Sequence, residues 1–153
     1  MRKHSQNRRS ERGAAAVEFA LVVPILLLLV FGIVDYGSVY ADSVSARNGV
    51  REAARQGVVS NFGAGGNLAG VATAAQSNIG AISGTATARA YAPNGWVKGR
   101  PLVVCAEIPN PGIIRFVPLP DQLRAKVELS IENAAVPPSG TIPTTSGSWS
   151  SWC

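Results

Sequence analysis

At about 1.5 Å per residue, the run of about 21 residues from Ala14 to Val34 makes a helix about 31 Å long, which matches a hydrocarbon core about 30 Å thick. From Phe19 to Val34 the run carries no charge. A core helix of a water-soluble domain keeps one polar face, and this run has none. The sequence therefore predicts a membrane-spanning helix over 14–34, with the lipid bilayer as its first partner. Two features set this span apart. Glu18 is ionisable and sits near its start, and the small-residue junction Gly13-Ala14 precedes it.

Charge is distributed unevenly around the span. The chain has 153 residues and a formal net charge of +5. Arg2, Lys3, Arg8, Arg9 and Arg12 all crowd the segment before Gly13, and the chain beyond the span is close to neutral. Basic residues beside a span favour the cytoplasmic side, so residues 1–13 are expected inside and the rest outside the cytoplasm. No basic stripe is interleaved with aromatics, which argues against a nucleic-acid partner. Residues 1–13 have no apolar periodicity and are expected as a disordered, solvated leader.

Beyond the span the pattern turns amphipathic. Tyr36, Tyr40, Val44, Arg47, Val50, Ala54 and Val58 recur at three- and four-residue spacing, and Asp42, Arg51, Glu52 and Arg55 fall among more polar positions. This predicts one helix from Ala14 to Val58, with a membrane half (14–34) and an amphipathic half (35–58), ended by Gly57 or by the run after Ser60. Pro24 removes one backbone N–H from the membrane half and is expected to loosen the helix near Ala20. Asn48-Gly49 is expected as a weak point in the second half.

Residues 59–136 read as a small α+β domain. Its parts are a glycine-rich connection over 61–67, a short helix over 68–79 and three strands over 85–91, 102–108 and 126–132. The second strand puts Leu102, Val104, Ala106 and Ile108 on one face, and the third does so with Val127, Leu129 and Ile131. Strands half polar in this way suit an antiparallel sheet, with the amphipathic half of the long helix as its cover. Proline-rich residues 109–120 join the last two strands. Residues 137–153 form a Pro-, Ser- and Thr-rich tail that holds Trp149 and Trp152.

Site chemistry is sparse. The only histidine, His4, lies in the leader, and the two cysteines, Cys105 and Cys153, cannot build a zinc site alone. The carboxylates Glu107, Asp121, Glu128 and Glu132 are scattered, with no nucleophile elbow and no phosphate loop. Neither an enzyme, nor a cofactor or metal site, nor a small-molecule substrate is expected.

Glu18 and the junction before it carry more. A carboxylate at a helix start is favoured by the macrodipole. If the chain is cut between Gly13 and Ala14, a second account opens. Ala14 then bears a new α-amino group and Glu18 becomes the fifth residue, able to neutralise the terminus of a neighbouring subunit. Such a pair is far cheaper in an apolar bundle than either charge alone. A basic leader, a glycine, a cut and a glutamate before an apolar span resemble the class III signal of type IV pilins and pseudopilins. More narrowly, Glu11-Arg-Gly-Ala-Ala-Ala-Val-Glu18-Phe-Ala-Leu-Val-Val-Pro24, followed by Gly32-Ile-Val-Asp35-Tyr-Gly37 and Arg51-Glu-Ala-Ala-Arg55-Gln-Gly57, resembles the TadE-like family. These are minor pilins or pseudopilins of the tight-adherence (Flp-type) pilus. The resemblance covers roughly residues 10–58. It implies cleavage after Gly13 by a prepilin peptidase, an assembly role for Glu18, and other pilin or pilus-assembly subunits as partners. Ala14 stands where many type IV pilins have phenylalanine. The exported part is longer than that of the small major pilins, which favours a minor or priming subunit.

Two rivals stay open at this point. An ordinary signal peptide would be cut after Ala41, although the apolar run exceeds the usual length of about 7–15 residues. An uncleaved anchor carrying a binding module would leave Glu18 dispensable. Finally, the topology puts Cys105 and Cys153 where disulfides persist. A bridge would tie the tail to the sheet by closing a loop of about 49 residues, worth roughly 4 kcal/mol in the chain-entropy model. The alternative is two free thiols.

Overall fold

The computed structural model describes residues 7–59, 67–109, 118–133 and 152–153. Helix α1 spans Asn7–Val59, 53 residues without interruption, and continues through Pro24. Helix α2 spans Asn67–Asn78. Strands β1 (Thr87–Tyr91), β2 (Pro101–Pro109) and β3 (Gln122–Ser130) form an antiparallel sheet in the order β1-β2-β3. The fold is α+β, a long apolar helix followed by a small sheet. The glycine-rich connection over 61–66, His4, most of the proline-rich connection and most of the tail, Trp149 included, lie outside the described residues.

The central strand explains the core. Leu102, Val104, Ala106 and Ile108 face the helices and are fully buried. Fully burying a side chain of the Leu, Val or Ile type is worth about 1.5–3 kcal/mol. From β3, Leu123, Ala125, Val127 and Leu129 join the same face. The register pairs Glu107 with Arg124 and Cys105 with Lys126, so alternation on one strand matches alternation on the next. From the helices come Ala46, Val50, Ala53, Ala54 and Val58 of α1 and Leu68, Val71 and Ala75 of α2, with Ile79 just beyond it. Small residues on α1 let the layers approach closely. A Cβ at Gly49 would lie 2.4 Å from Ile79 Cγ1, and one at Gly57 would lie 2.6 Å from Val71 Cγ2 and 3.0 Å from Leu102 Cδ2. Gly49 is thus a packing position, not a weak point, and Gly57 lies inside the helix rather than ending it. The end comes at Val59, where Glu132 and Asn133 N–H groups both donate to the Val58 carbonyl, at 3.1 and 3.0 Å.

Four expectations need correction. The helix starts at Asn7, so residues 7–13 are not a disordered tail. Arginine and glutamate are good helix formers, no proline intervenes, and a ladder nucleated in the span propagates at one bond per residue. Second, the expected inward stripe of the amphipathic half holds at Val50, Ala54 and Val58 but fails in the turns nearer the span. Tyr36, Tyr40, Val44 and Arg47 are exposed, while Asp35, Ser38 and Asp42 are buried. Third, β3 starts at Gln122 rather than Lys126 and ends at Ser130. The nine-residue β2 offers partners all the way to Gln122, and the Arg124–Glu107 ion pair across the strands, 3.3 Å, favours that extension. Fourth, β1 begins at Thr87 rather than Thr85.

Candidate functional site

The membrane half of α1 stands clear of the domain. None of its most apolar window is buried within the molecule. Phe19, Leu21, Ile25 and Ile33 are each 65–71% exposed, and apolar side chains face outward on every side. Leaving about ten such side chains in water forgoes on the order of 15–30 kcal/mol, more than the net stability of a small domain. This surface requires a lipid or protein environment, and its length suits one crossing of a bilayer.

Gly13, Ala14 and Glu18 lie on this exposed half. A Cβ on Gly13 would meet nothing within 4 Å, so no packing inside the chain demands a glycine there. Ala14 and Glu18 are four residues apart and share a helix face, about 6 Å apart along the axis. Helical geometry brings the junction and the carboxylate together on one stripe, open to whatever packs beside it.

Where the span meets the domain, a polar seam replaces the apolar surface. Asp42 is fully buried and accepts hydrogen bonds from the Ile82 N–H (2.7 Å), the Ser83 N–H (2.9 Å) and the Ser83 hydroxyl. The Ser45 hydroxyl accepts from the Gly80 N–H at 3.0 Å. The Ser38 hydroxyl donates to the Asp35 carbonyl at 2.8 Å, and Asp35 itself is fully buried. A buried carboxylate is tolerated when several donors meet it. Here they come from the α2–β1 connection, which this seam holds against α1 at the foot of the domain. Sequence reasoning misses the seam. Its only local signal is that Asp35, Ser38, Asp42 and Ser45 recur at helical spacing.

On the sheet face away from the helices, Cys105 and Cys153 form a disulfide, with their Cα atoms 6.1 Å apart. Cys105 and Val103 are buried there. The Tyr91 hydroxyl donates to the Cys153 carbonyl, and the Arg124 guanidinium lies 5.0 Å from the ring centroid of Trp152, a cation–π contact. On the outer surface of α1, Arg55 donates to Glu52 at 2.9 and 3.0 Å, and Gln56 donates to the same carboxylate at 2.8 Å. Hydrogen bonding by Arg55 first, then by Gln56, lowers the Glu52 pKa from 4.5 to about 2. Among the described residues, no group of three or more His, Cys, Asp or Glu converges as a metal site would require.

The family model of TadE-like proteins matches residues 13–55, from the junction glycine through the span and the polar seam into the packed half. Over residues 13–55 the chain is similar to TadE-like proteins. The TadE-like family is a pilin-type structural family rather than an enzymatic one. The TadE-like segment and its exposed apolar helix fit a membrane-anchored, pilus-related protein with a single N-terminal crossing. Glu18, Asp35 and Asp42 all fall inside the match, whereas the sheet and the disulfide lie beyond it. Among curated proteins and among solved structures, no match was found.

Proposed function

We propose that the chain is a minor pilin or pseudopilin that takes part in assembling a tight-adherence (Flp-type) pilus used for adhesion or secretion. The observation that carries this reading is the bare apolar half of α1, which bears Glu18 one turn after Gly13-Ala14, inside the TadE-like match. In this reading a prepilin peptidase cuts between Gly13 and Ala14 and removes the basic leader. The helix first sits in the cytoplasmic membrane, with its amino end inside and the domain outside. It then packs beside the helices of other subunits. There the Glu18 carboxylate meets the new α-amino group of a neighbour, and both charges are offset in an apolar bundle. Pro24 gives the ladder one unpaired carbonyl, a point where the helix adjusts as it changes surroundings.

The test is the mature amino terminus and its dependence on the junction. Intact mass of membrane-bound protein should show loss of residues 1–13, and Gly13→Leu should retain them. Glu18→Ala should still be inserted and cut, yet give no assembled pili. Functional protein that keeps its leader would sink the reading, and an amino terminus at Asp42 would replace it with secretion by an ordinary signal peptide.

A further inference from the structure

A cleft at the open edge of the sheet is used neither by the disulfide nor by the membrane half of α1. It encloses about 190 Å³ between Arg47, Val50 and Arg51 of α1 and residues 124–127 of β3. Strand β3 is an edge strand, paired only with β2 among the described residues. Two cations of the strand are already engaged, Arg124 with Glu107 at 3.3 Å and Lys126 with Glu128 at 3.0 Å. Arg47 and Arg51 make no ion pair among the described residues, and both are exposed. They sit one turn apart on the same face, where like charges repel. The cleft therefore holds a surplus of positive charge beside a row of main-chain donors and acceptors.

Magnitudes narrow what this charge can meet. Arg47 lies thirteen residues past Val34, about 20 Å along the helix axis, while headgroups extend only about 5–8 Å beyond the hydrocarbon. A lipid phosphate is out of reach of an upright helix. The spacing suits a strand instead. Arg47 and Arg51 are about 6 Å apart along the axis, and alternate residues of an extended chain are about 6.7 Å apart. Two carboxylates at positions i and i+2 of an added strand would each face one arginine while its backbone pairs with β3.

We propose that this edge cleft takes up an extended acidic segment of a partner protein by strand addition, with β3 supplying the backbone partners and Arg47 and Arg51 reading alternate carboxylates. The partner is not a second copy, because no two acidic side chains of this chain stand two residues apart. Lys126 on the edge also discourages pairing between copies, while it accepts an acidic strand. The proposal does not depend on the pilus reading. Loss of leader cleavage or of the Glu18 effect would leave it standing.

The experiment uses the full chain in nanodiscs of zwitterionic lipid. The probe is a fluorescent peptide with glutamate at alternate positions and threonine or valine between, followed by anisotropy. Saturable binding is expected. Arg47→Gln with Arg51→Gln should weaken it about tenfold, equivalent to about 1.4 kcal/mol. Both side chains are exposed, so circular dichroism of this variant should match wild type. The same peptide N-methylated on the amides that face β3 should lose binding, because its charge is intact but its ladder is not. Equal binding by the N-methylated peptide, displacement by inorganic phosphate at matched charge, or an unchanged affinity in the double variant would each overturn the proposal. So would the absence of saturable binding.

Discussion

The two halves of α1 are one continuous helix, yet they solve opposite problems. Over 14–34 the side chains are apolar on every face and bury nothing within the chain. Over 35–59 the apolar content is lower, and Ala46, Val50, Ala53, Ala54 and Val58 are almost completely buried. Burial thus follows the fit between a face and its partner, not hydrophobicity alone. The second half packs because it offers small residues on one stripe, against which α2 and β2 close to contact distance. The first half offers bulky side chains all round and no stripe, so it is suited to a surrounding that is apolar in every direction.

The largest way to sharpen this contrast is to cut the disulfide. Cys153→Ser should lower the stability of the domain by roughly 4 kcal/mol, an upper figure from chain entropy, and leave membrane insertion unchanged. Chemical denaturation and carbonate extraction measure the two halves separately. Asp42→Ala comes next. It leaves the Ile82 and Ser83 donors without their acceptor, at a cost of about 3 kcal/mol in domain stability. A matched pair then compares the halves directly. Val50→Ala should cost the domain about 2 kcal/mol, whereas Leu27→Ala should move its stability by less than about 0.5 kcal/mol. An equal loss from both would show that the exposed half is also packed within the chain.

The smallest effect is a pH dependence in the outer face of the packed half. The Glu52 pKa is depressed in the folded state, from 4.5 to about 2. Its contribution is therefore present above 4.5 and is lost as the pH falls toward 2. Wild type should lose slightly more stability than Glu52→Gln between about pH 5 and about pH 3, as read from denaturation midpoints. Identical slopes would mean that the exposed pair with Arg55 adds nothing.

These particulars explain what can be read from the sequence. The span is visible because uniform apolarity over its length has one common cause. The inward face of β2 is visible because Leu102, Val104, Ala106 and Ile108 alternate without a break. The inward stripe of α1 is visible from Val50 onward, at Val50, Ala54 and Val58, but not before it, where Tyr36, Tyr40 and Val44 look apolar while Asp35 and Asp42 look solvated. What holds Asp42 inward is the set of N–H donors at Ile82 and Ser83, about forty positions further along the chain. No local periodicity contains them. The start of β3 is hidden for a similar reason: Gln122–Ala125 become strand because β2 is long enough to pair with them. At the candidate site, Gly13, Ala14 and Glu18 are legible as a pattern, whereas the edge cleft needs the sheet order to exist at all.

The unbroken path of α1 from Asn7 to Val59 has a consequence for alignment. No joint separates the anchor from the domain, so the two are keyed like a cog on a shaft. One residue inserted between Val34 and Asp35 would turn the domain by about 100° around the axis and raise it by about 1.5 Å. Adding a whole turn of about 3.6 residues would nearly restore the heading and change only the height. The count of residues between the end of the span and the polar seam thus fixes which compass direction the sheet edge faces relative to the last turns of the anchor.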